Sequence, residues 1–71
     1  MLKFPCTGNR AFENALRHLH NTHHDLTTVS KTINAFTKEF NGYLFLDETW
    51  LWDYFAFANE HDATMFMLRF S

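Results

Sequence analysis

Residues 41–58 read NGYLFLDETWLWDYFAFA, and this segment carries the clearest structural signal in the 71-residue chain. Two runs rich in aromatic and aliphatic residues, 43–46 and 50–58, flank the polar sequence Asp47-Glu48-Thr49. Such residues favour the half-buried surface of a strand, and a three-residue polar loop between two such runs is typical of a hairpin. The segment therefore predicts two antiparallel strands joined by a turn at residues 47–49.

Both faces of the longer predicted strand are largely apolar. Strict alternation assigns its side chains to two faces, Leu51, Asp53, Phe55 and Phe57 on the first and Trp50, Trp52, Tyr54 and Ala56 on the second. Because a chain this short builds one small core, only one face lies on it, and the second face needs cover from a helix, another chain or both. Residues 48–58 also fit the helical period, so a helix is the alternative interpretation of this run.

Two amphipathic helices are predicted before the hairpin. Apolar side chains recur at helical spacing in residues 10–23, and Asn9 is a natural N-cap for this helix. A second helix is predicted over about residues 27–40. Its apolar stripe consists of Val29, Ile33, Phe36 and Phe40. The pair Asn41-Gly42 is predicted to end this helix in a left-handed conformation.

The two ends of the chain complete the predicted fold. Leu2, Phe4 and Cys6 alternate with other residues in a short strand, which Pro5 restricts to a sheet edge. Asn59 is predicted to cap a last helix over residues 60–70, with a strand over residues 64–70 as the alternative. We therefore predict a single α+β domain spanning residues 1–71. In it, a small antiparallel sheet, made of the N-terminal strand and the hairpin, packs against two to three helices.

Composition excludes several classes of protein. Aromatic residues make up 18% of the chain, with one Pro and two Gly, which excludes a disordered tail. A single cysteine excludes an intrachain disulfide framework and fits a reducing, cytoplasmic compartment. No apolar run approaches the roughly 20 residues that span a bilayer, so no membrane partner is expected. A domain of this size has little room for a catalytic cleft, so we expect a protein that is not an enzyme and uses no cofactor.

The charges are distributed unevenly along the chain. Residues 1–38 carry five basic and two acidic side chains, a net charge of +3, whereas residues 39–71 carry one basic and six acidic side chains, a net charge of −5. The overall isoelectric point of about 6.2 and the acidic character of the aromatic-rich half disfavour a nucleic acid as partner. An acidic, aromatic surface suits a basic protein partner better.

The candidate binding residues lie in this acidic half. Aromatic side chains supply most of the binding energy at protein interfaces, while surrounding charges guide the approach of the partner. The predicted partner-binding residues are Tyr43, Asp47, Glu48, Trp50, Trp52, Asp53 and Tyr54. Of these, Trp50 and Trp52 are expected to contribute most. Trp50, Trp52 and Tyr54 together would form an apolar patch larger than a monomer usually exposes. This patch also suggests a homodimer that forms through the aromatic strand face.

A run of histidines, with the sequence HLHNTHHD over residues 18–25, raises a second hypothesis. On a helix His20 and His24 are i, i+4 neighbours and could present two imidazoles to one metal ion, with Asp25, His61 or Cys6 completing the site. The simpler interpretation is that imidazolium groups are favourable near a helix C-terminus. No His-Glu-x-x-His or Cys-x-x-Cys pattern is present, so we predict no metal site and keep His20 and His24 as the alternative.

Residues 55–70, FAFANEHDATMFMLRF, carry a recognisable pattern. This segment resembles the C-terminus of many short, mostly uncharacterised proteins of tailed bacteriophages. They share an aromatic strand, an acidic cap and an ending in Asp-Ala-x-x-Phe-x-Leu-Arg-aromatic. The resemblance covers 16 of the 71 residues. Its residues serve capping and packing, and it assigns no catalytic or ligand-binding residue.

The resemblance implies an accessory protein that acts in the cytoplasm of an infected bacterial cell. Such proteins often bind a host protein and inhibit or modify it. The expected function is therefore non-catalytic occlusion of a host protein's surface, in host takeover or in defence against host immunity. The alternatives are a metal-binding module that uses the cluster at residues 18–24, and a homo-oligomeric structural component.

Overall fold

The structure, a computed structural model, describes all 71 residues as three helices and a three-stranded antiparallel sheet. In chain order the elements are β1 (Leu2–Pro5), α1 (Arg10–Thr22), α2 (Val29–Phe40), β2 (Gly42–Leu46), β3 (Trp52–Phe57) and α3 (Glu60–Phe70). The predicted α+β class and the order of the elements are confirmed. None of the helices has the length and apolar character needed to cross a membrane.

Each helix begins at a polar residue whose side chain accepts a hydrogen bond from the first turn. Asn9 accepts from the backbone N–H of Phe12 at 3.0 Å, and Asn59 accepts from that of Asp62 at 2.9 Å. Thr28 caps α2, so this helix begins at Val29 and not at residue 27 as predicted. Such caps each contribute about 1 kcal/mol to helix stability, which explains why the starts of α1 and α3 match the sequence.

The predicted end of α2 is refined by the structure. Asn41 alone adopts the left-handed conformation, with a φ of 57°, whereas Gly42 is already the first residue of β2. A Cβ atom on Gly42 would lie 2.7 Å from a ring carbon of Phe57 and 3.0 Å from one of Phe36. Position 42 therefore requires glycine because β2 passes close to two core rings. Gly42 is not in the left-handed conformation that was predicted for it.

The sheet has the order β1-β3-β2, so β3 is central and the other strands are edges. Phe4 of β1 and Leu44 of β2 both lie opposite Phe55. The ring of Phe55 lies 5.5 Å from that of Phe12 in α1, 6.1 Å from that of Phe36 in α2 and 5.2 Å from that of Phe66 in α3. All three helices therefore pack on the same face of the sheet. The core lies between them and that face.

The hairpin differs from the prediction in its turn and its register. Residues 47–51 form the turn, and β3 begins at Trp52. The helical alternative for residues 48–58 is therefore wrong. The strand alternative for residues 64–70 is also wrong, because these residues belong to α3. Phe45 lies opposite Tyr54 but Leu46 lies opposite Trp52, so Asp53 is an extra residue in β3. Such a bulge shifts the alternation of side chains by one position.

The bulge overturns the predicted faces of β3. Trp50, Trp52 and Tyr54 do not share a face, because Trp50 lies in the turn and Trp52 packs against the core. The Trp52 ring lies 6.5 Å from that of Phe12 in an edge-to-face arrangement. Of the three aromatic residues assigned to the second face, only Tyr54 lies there.

Candidate protein-binding surface

The outer face is defined here as the face of the sheet that the helices leave uncovered. In the register of the strands it carries two cross-strand rows, Lys3, Ala56 and Tyr43 in one and Pro5, Tyr54 and Phe45 in the other. The rings of Phe45 and Tyr54 stack with centroids 4.5 Å apart, and the Lys3 ammonium lies 5.0 Å from the Tyr54 ring centroid. Tyr43, at the edge, is 41% exposed. No helix covers this face, but its exposure is uneven. Lys3, Pro5 and Tyr43 are exposed and Phe45 and Tyr54 are half-buried, whereas Ala56 is 0% exposed.

The turn between β2 and β3 is held by backbone and side-chain bonds to Asp47. The Asp47 amide donates to the Leu51 carbonyl at 2.9 Å, and the Trp50 amide donates to the Asp47 carbonyl at 3.2 Å. Oδ1 of Asp47 accepts hydrogen bonds from the Thr49 hydroxyl at 2.6 Å, the Thr49 amide at 2.8 Å and the Leu51 amide at 3.1 Å. The Thr49 hydroxyl contributes most to these bonds, followed by the Leu51 amide, and together they lower the pKa of Asp47. Asp47 is therefore committed to shaping the turn.

The turn places a large apolar side chain in solvent. Trp50 has a φ of 65°, a left-handed conformation that is rare for a bulky residue, and its side chain points away from the core. Trp50 is 74% exposed and its neighbour Leu51 is 65% exposed. Local strain of this kind persists only where surrounding contacts impose it, and here the bonds to Asp47 do so.

The predicted binding residues thus separate into four groups. Tyr43 and Tyr54 lie on the outer face, while Asp47, Glu48 and Trp50 lie in the adjoining turn. Asp53 is exposed at the bulge, and its backbone carbonyl accepts a hydrogen bond from the Cys6 amide at 3.0 Å. Trp52 is separated from the others, since its ring belongs to the core.

A polar cluster elsewhere in the molecule joins all three helices. In this Glu39 cluster, Nε2 of His18 lies 2.5 Å from one carboxylate oxygen of Glu39, and Nε2 of His23 lies 3.0 Å from the other. Arg69 of α3 donates to Glu39 at 3.3 Å. The Arg69 nitrogen also lies 2.9 Å from Nε2 of His18. The Arg69 nitrogen and Nε2 of His18 both donate to the same Glu39 oxygen, so they lie side by side and do not bond to each other.

Opposing effects act on the pKa of Glu39. Partial burial raises it, but the hydrogen bonds from His18 and His23 and the positive charges of His18 and Arg69 outweigh burial, so the pKa lies below its usual value. The carboxylate therefore stays ionised in the folded protein, where it accepts bonds from α1 and α3. This arrangement ties the helices together at the end of the core formed by Phe40 and Phe70.

Sequence reasoning missed this cluster because it considered only local helical spacing. The histidines that it singled out, His20 and His24, are exposed and make no hydrogen bond or ion pair. His18 and His23 are five residues apart, and they converge because α1 ends before His23, whose backbone is extended. Their partner Glu39 lies 21 and 16 residues away, so no local pattern indicates it. No group of three or more His, Cys, Asp or Glu side chains is arranged to hold a metal ion.

Cys6 is a structural thiol. Its side chain is 4% exposed and belongs to the core. Burial, with a smaller contribution from the negative charge of Asp53, raises the pKa of the Cys6 thiol to about 12. Since the thiolate is the reactive form, this cysteine lacks the environment of a nucleophile. Cys6 therefore serves as a small buried hydrophobic residue.

Two shallow grooves flank α3. One, of about 480 Å³, has Phe40 and Phe66 among its lining residues, and the other, of about 400 Å³, runs between β1 and α3. Leu68 lines both and is 74% exposed. The polar groups at the first groove already bond to one another, as in the bond from Asn41 to Asp62 at 2.8 Å.

Comparisons of the chain with known protein families, with curated proteins and with solved structures found no match.

Proposed function

We propose that this protein binds another protein through the outer face and the adjoining turn, and acts by covering part of that partner's surface without catalysis. The observation that carries the proposal is the exposure of Trp50, 74%, on a turn that Asp47 holds in one conformation. Trp and Tyr dominate the energy of protein interfaces. A turn that already holds the Trp50 backbone also reduces the conformational entropy lost on binding.

The charges beside Trp50 favour a basic partner. Asp47, Glu48 and Asp53 are all exposed, and Lys3 is the only basic residue on the outer face. Carboxylates at the rim of an interface raise the rate of encounter with a positively charged surface. Because Asp47 is engaged in the turn, Glu48 and Asp53 are the residues free to perform this role.

The contribution of each predicted residue follows from its position. Trp50 is the central contact, with Tyr43 and Tyr54 adding apolar surface beside it. Trp52 takes no part in the proposal, since its ring packs on Phe12. The proposed setting is the cytoplasm of an infected bacterium, where the partner is a host protein whose activity is modulated or inhibited. This setting is supported by the likeness of residues 55–70 to phage accessory proteins.

Affinity capture from a bacterial lysate tests the proposal when matched variants are compared. Trp50→Ala and Leu68→Ala each remove a side chain from a residue that is 74% exposed, but Leu68 lies on α3. A partner that binds the wild-type chain should bind the Leu68→Ala variant equally well. It should bind the Trp50→Ala variant about 30-fold more weakly, which corresponds to about 2 kcal/mol. Undiminished binding by a folded Trp50→Ala variant would show that the partner docks elsewhere.

A further inference from the structure

The two edge strands of the sheet differ in their protection against pairing with another strand. β1 contains Pro5, which has no amide hydrogen, and Lys3, a residue typical of protected edges. β2 has the sequence GYLFL, with no proline and no charge. The bulge lies in β3, so the free edge of β2 remains regular. β2 therefore lacks the proline, the charge and the bulge that commonly keep an edge strand from pairing.

Backbone groups along the free edge of β2 have no partner within the chain. β2 pairs with β3 on one side only. None of the backbone hydrogen bonds outside the regular elements involves residues 42–46, and no side chain bonds to these residues. Alternate amides and carbonyls of β2 are therefore free to accept a further strand, which is the recurring mode of strand addition at sheet edges.

We propose that β2 pairs antiparallel with β2 of a second copy of this chain, about a two-fold axis at Leu44, to give one six-stranded sheet. In this register Leu44 lies opposite its own copy, Tyr43 lies opposite Phe45, and Gly42 lies opposite Leu46. The strand is self-complementary in this arrangement, because aromatic residues meet on the outer face and the larger Leu46 meets a glycine on the helix side.

The absence of charge from β2 favours a second copy of the same strand as the occupant. The register places Asp47 of one chain opposite Asn41 of the other, whose side chain donates to Asp62 at 2.8 Å, so the contacts of the uncharged centre of β2 must offset repulsion between these two carboxylates. No charged residue lies within β2 itself, so the two-fold axis creates no like-charge pair there. The aromatic layer that Phe45 and Tyr54 form in one chain continues through Tyr43 of the other. The paired sheet leaves the outer face and Trp50 accessible, so this inference goes beyond the proposed binding function and does not depend on it.

Sedimentation equilibrium of three variants tests the proposal. Tyr43→Lys places a charge on the β2 edge and should weaken the dimer by at least about tenfold. Tyr54→Ser changes the outer face on the central strand and should leave the dimer within about twofold of wild type. Trp50→Ala should also remain dimeric, which separates this test from that of partner binding. Loss of the dimer in both Tyr54→Ser and Tyr43→Lys would indicate that two outer faces pack together, and it would overturn edge pairing. A wild-type chain that is still a monomer at about 1 mM would also overturn edge pairing.

Disulfide trapping tests the register without relying on a destabilising variant. Directly opposed residues in antiparallel strands have Cβ atoms about 4.5–5.5 Å apart, close to disulfide geometry. A mixture of Tyr43→Cys and Phe45→Cys proteins should form the mixed disulfide in preference to either homodimer. Cys6 should not compete because it is buried. Equal yields of the three disulfides would overturn the proposed register.

Discussion

The two faces of the sheet are both aromatic, but they are built from different residues and contact different surroundings. On the helix side Phe55 and Phe57 are fully buried, each 0% exposed, and contact rings from the helices. On the outer face Phe45 and Tyr54 stack on each other, and Lys3 lies over the Tyr54 ring. The buried aromatic residues are all phenylalanines, whereas both tyrosines lie on the outer face, where their hydroxyl groups reach water.

Because of this difference, we expect the rings on the helix side to contribute mainly to the stability of the fold and the rings on the outer face mainly to the binding of other molecules. A ring on the helix side is surrounded by other rings, so its loss opens a cavity in the core. A ring on the outer face is only partly buried, so its loss changes the surface offered to another molecule more than it changes folding. Substitutions on the two faces should therefore have clearly different effects on the free energy of unfolding.

The largest expected effect comes from Phe55→Ala. Phe55 contacts rings from α1, α2 and α3, and its truncation should lower the free energy of unfolding by about 3–5 kcal/mol. The neighbouring Tyr54→Ala, on the opposite face, should cost about 1 kcal/mol, mainly the stack with Phe45. Urea denaturation followed by circular dichroism measures both. Equal losses for the two variants would contradict the assignment of the faces.

Gly42→Ala should have the next largest effect. The added methyl group would lie 2.7 Å from the Phe57 ring, so the core must shift to admit it. Overpacking of this kind should lower the free energy of unfolding by about 1–3 kcal/mol. NMR should show the change at the ring resonances of Phe36 and Phe57. A variant as stable as wild type, with unchanged ring signals, would show that β2 does not approach these rings so closely.

A smaller effect is expected for Glu39→Gln, which leaves the sheet intact but weakens the bonds between the helices. At neutral pH the variant should be less stable than wild type by about 1 kcal/mol. Because the pKa of Glu39 is lowered by folding, the carboxylate stabilises the protein above its unfolded-state pKa, and this contribution disappears as the pH falls through the lower folded-state value. The difference between variant and wild type should therefore shrink in acid.

Urea denaturation at neutral pH and at about pH 3 measures this dependence. The control is Glu48→Gln, in the exposed turn between β2 and β3, whose carboxylate lies outside any helix and has no hydrogen-bond or ion-pair partner, so its loss should change stability little at either pH. A pH-independent deficit in Glu39→Gln would mean that the loss comes from packing and not from the charge of the carboxylate.

The smallest effect on folding is expected for Asp47→Ala. This change removes the three side-chain hydrogen bonds of the turn and leaves its two backbone bonds, so Trp50 should become more mobile while the core is unaffected. In a Trp52→Phe background, in which Trp50 is the only indole, the fluorescence anisotropy should fall. Glu48→Ala, in the same turn but without such bonds, is the matched control and should leave the anisotropy unchanged. Equal anisotropy in both variants would show that Asp47 does not hold Trp50 in place.

The sequence by itself determined the helices, the edge position of β1 and the α+β class. These features rest on short-range interactions. Asn9 and Asn59 cap helices by bonding to amides three residues ahead, and Pro5 excludes a central strand by lacking an amide hydrogen. A buried stripe of apolar residues at the helical period is equally local. Each of these signals involves residues close together in the chain, so it can be recognised in the sequence alone.

Only the tertiary structure decided which faces the hairpin side chains occupy and which polar groups meet. The bulge at Asp53 depends on how β3 aligns with β2, and one extra residue there moves Trp52 from the outer face to the core. The Glu39 cluster joins His18 to a carboxylate 21 residues away and to Arg69, 51 residues away. Register and long-range pairing are set by how separate elements pack, because the energies that select them arise from contacts that no single segment contains.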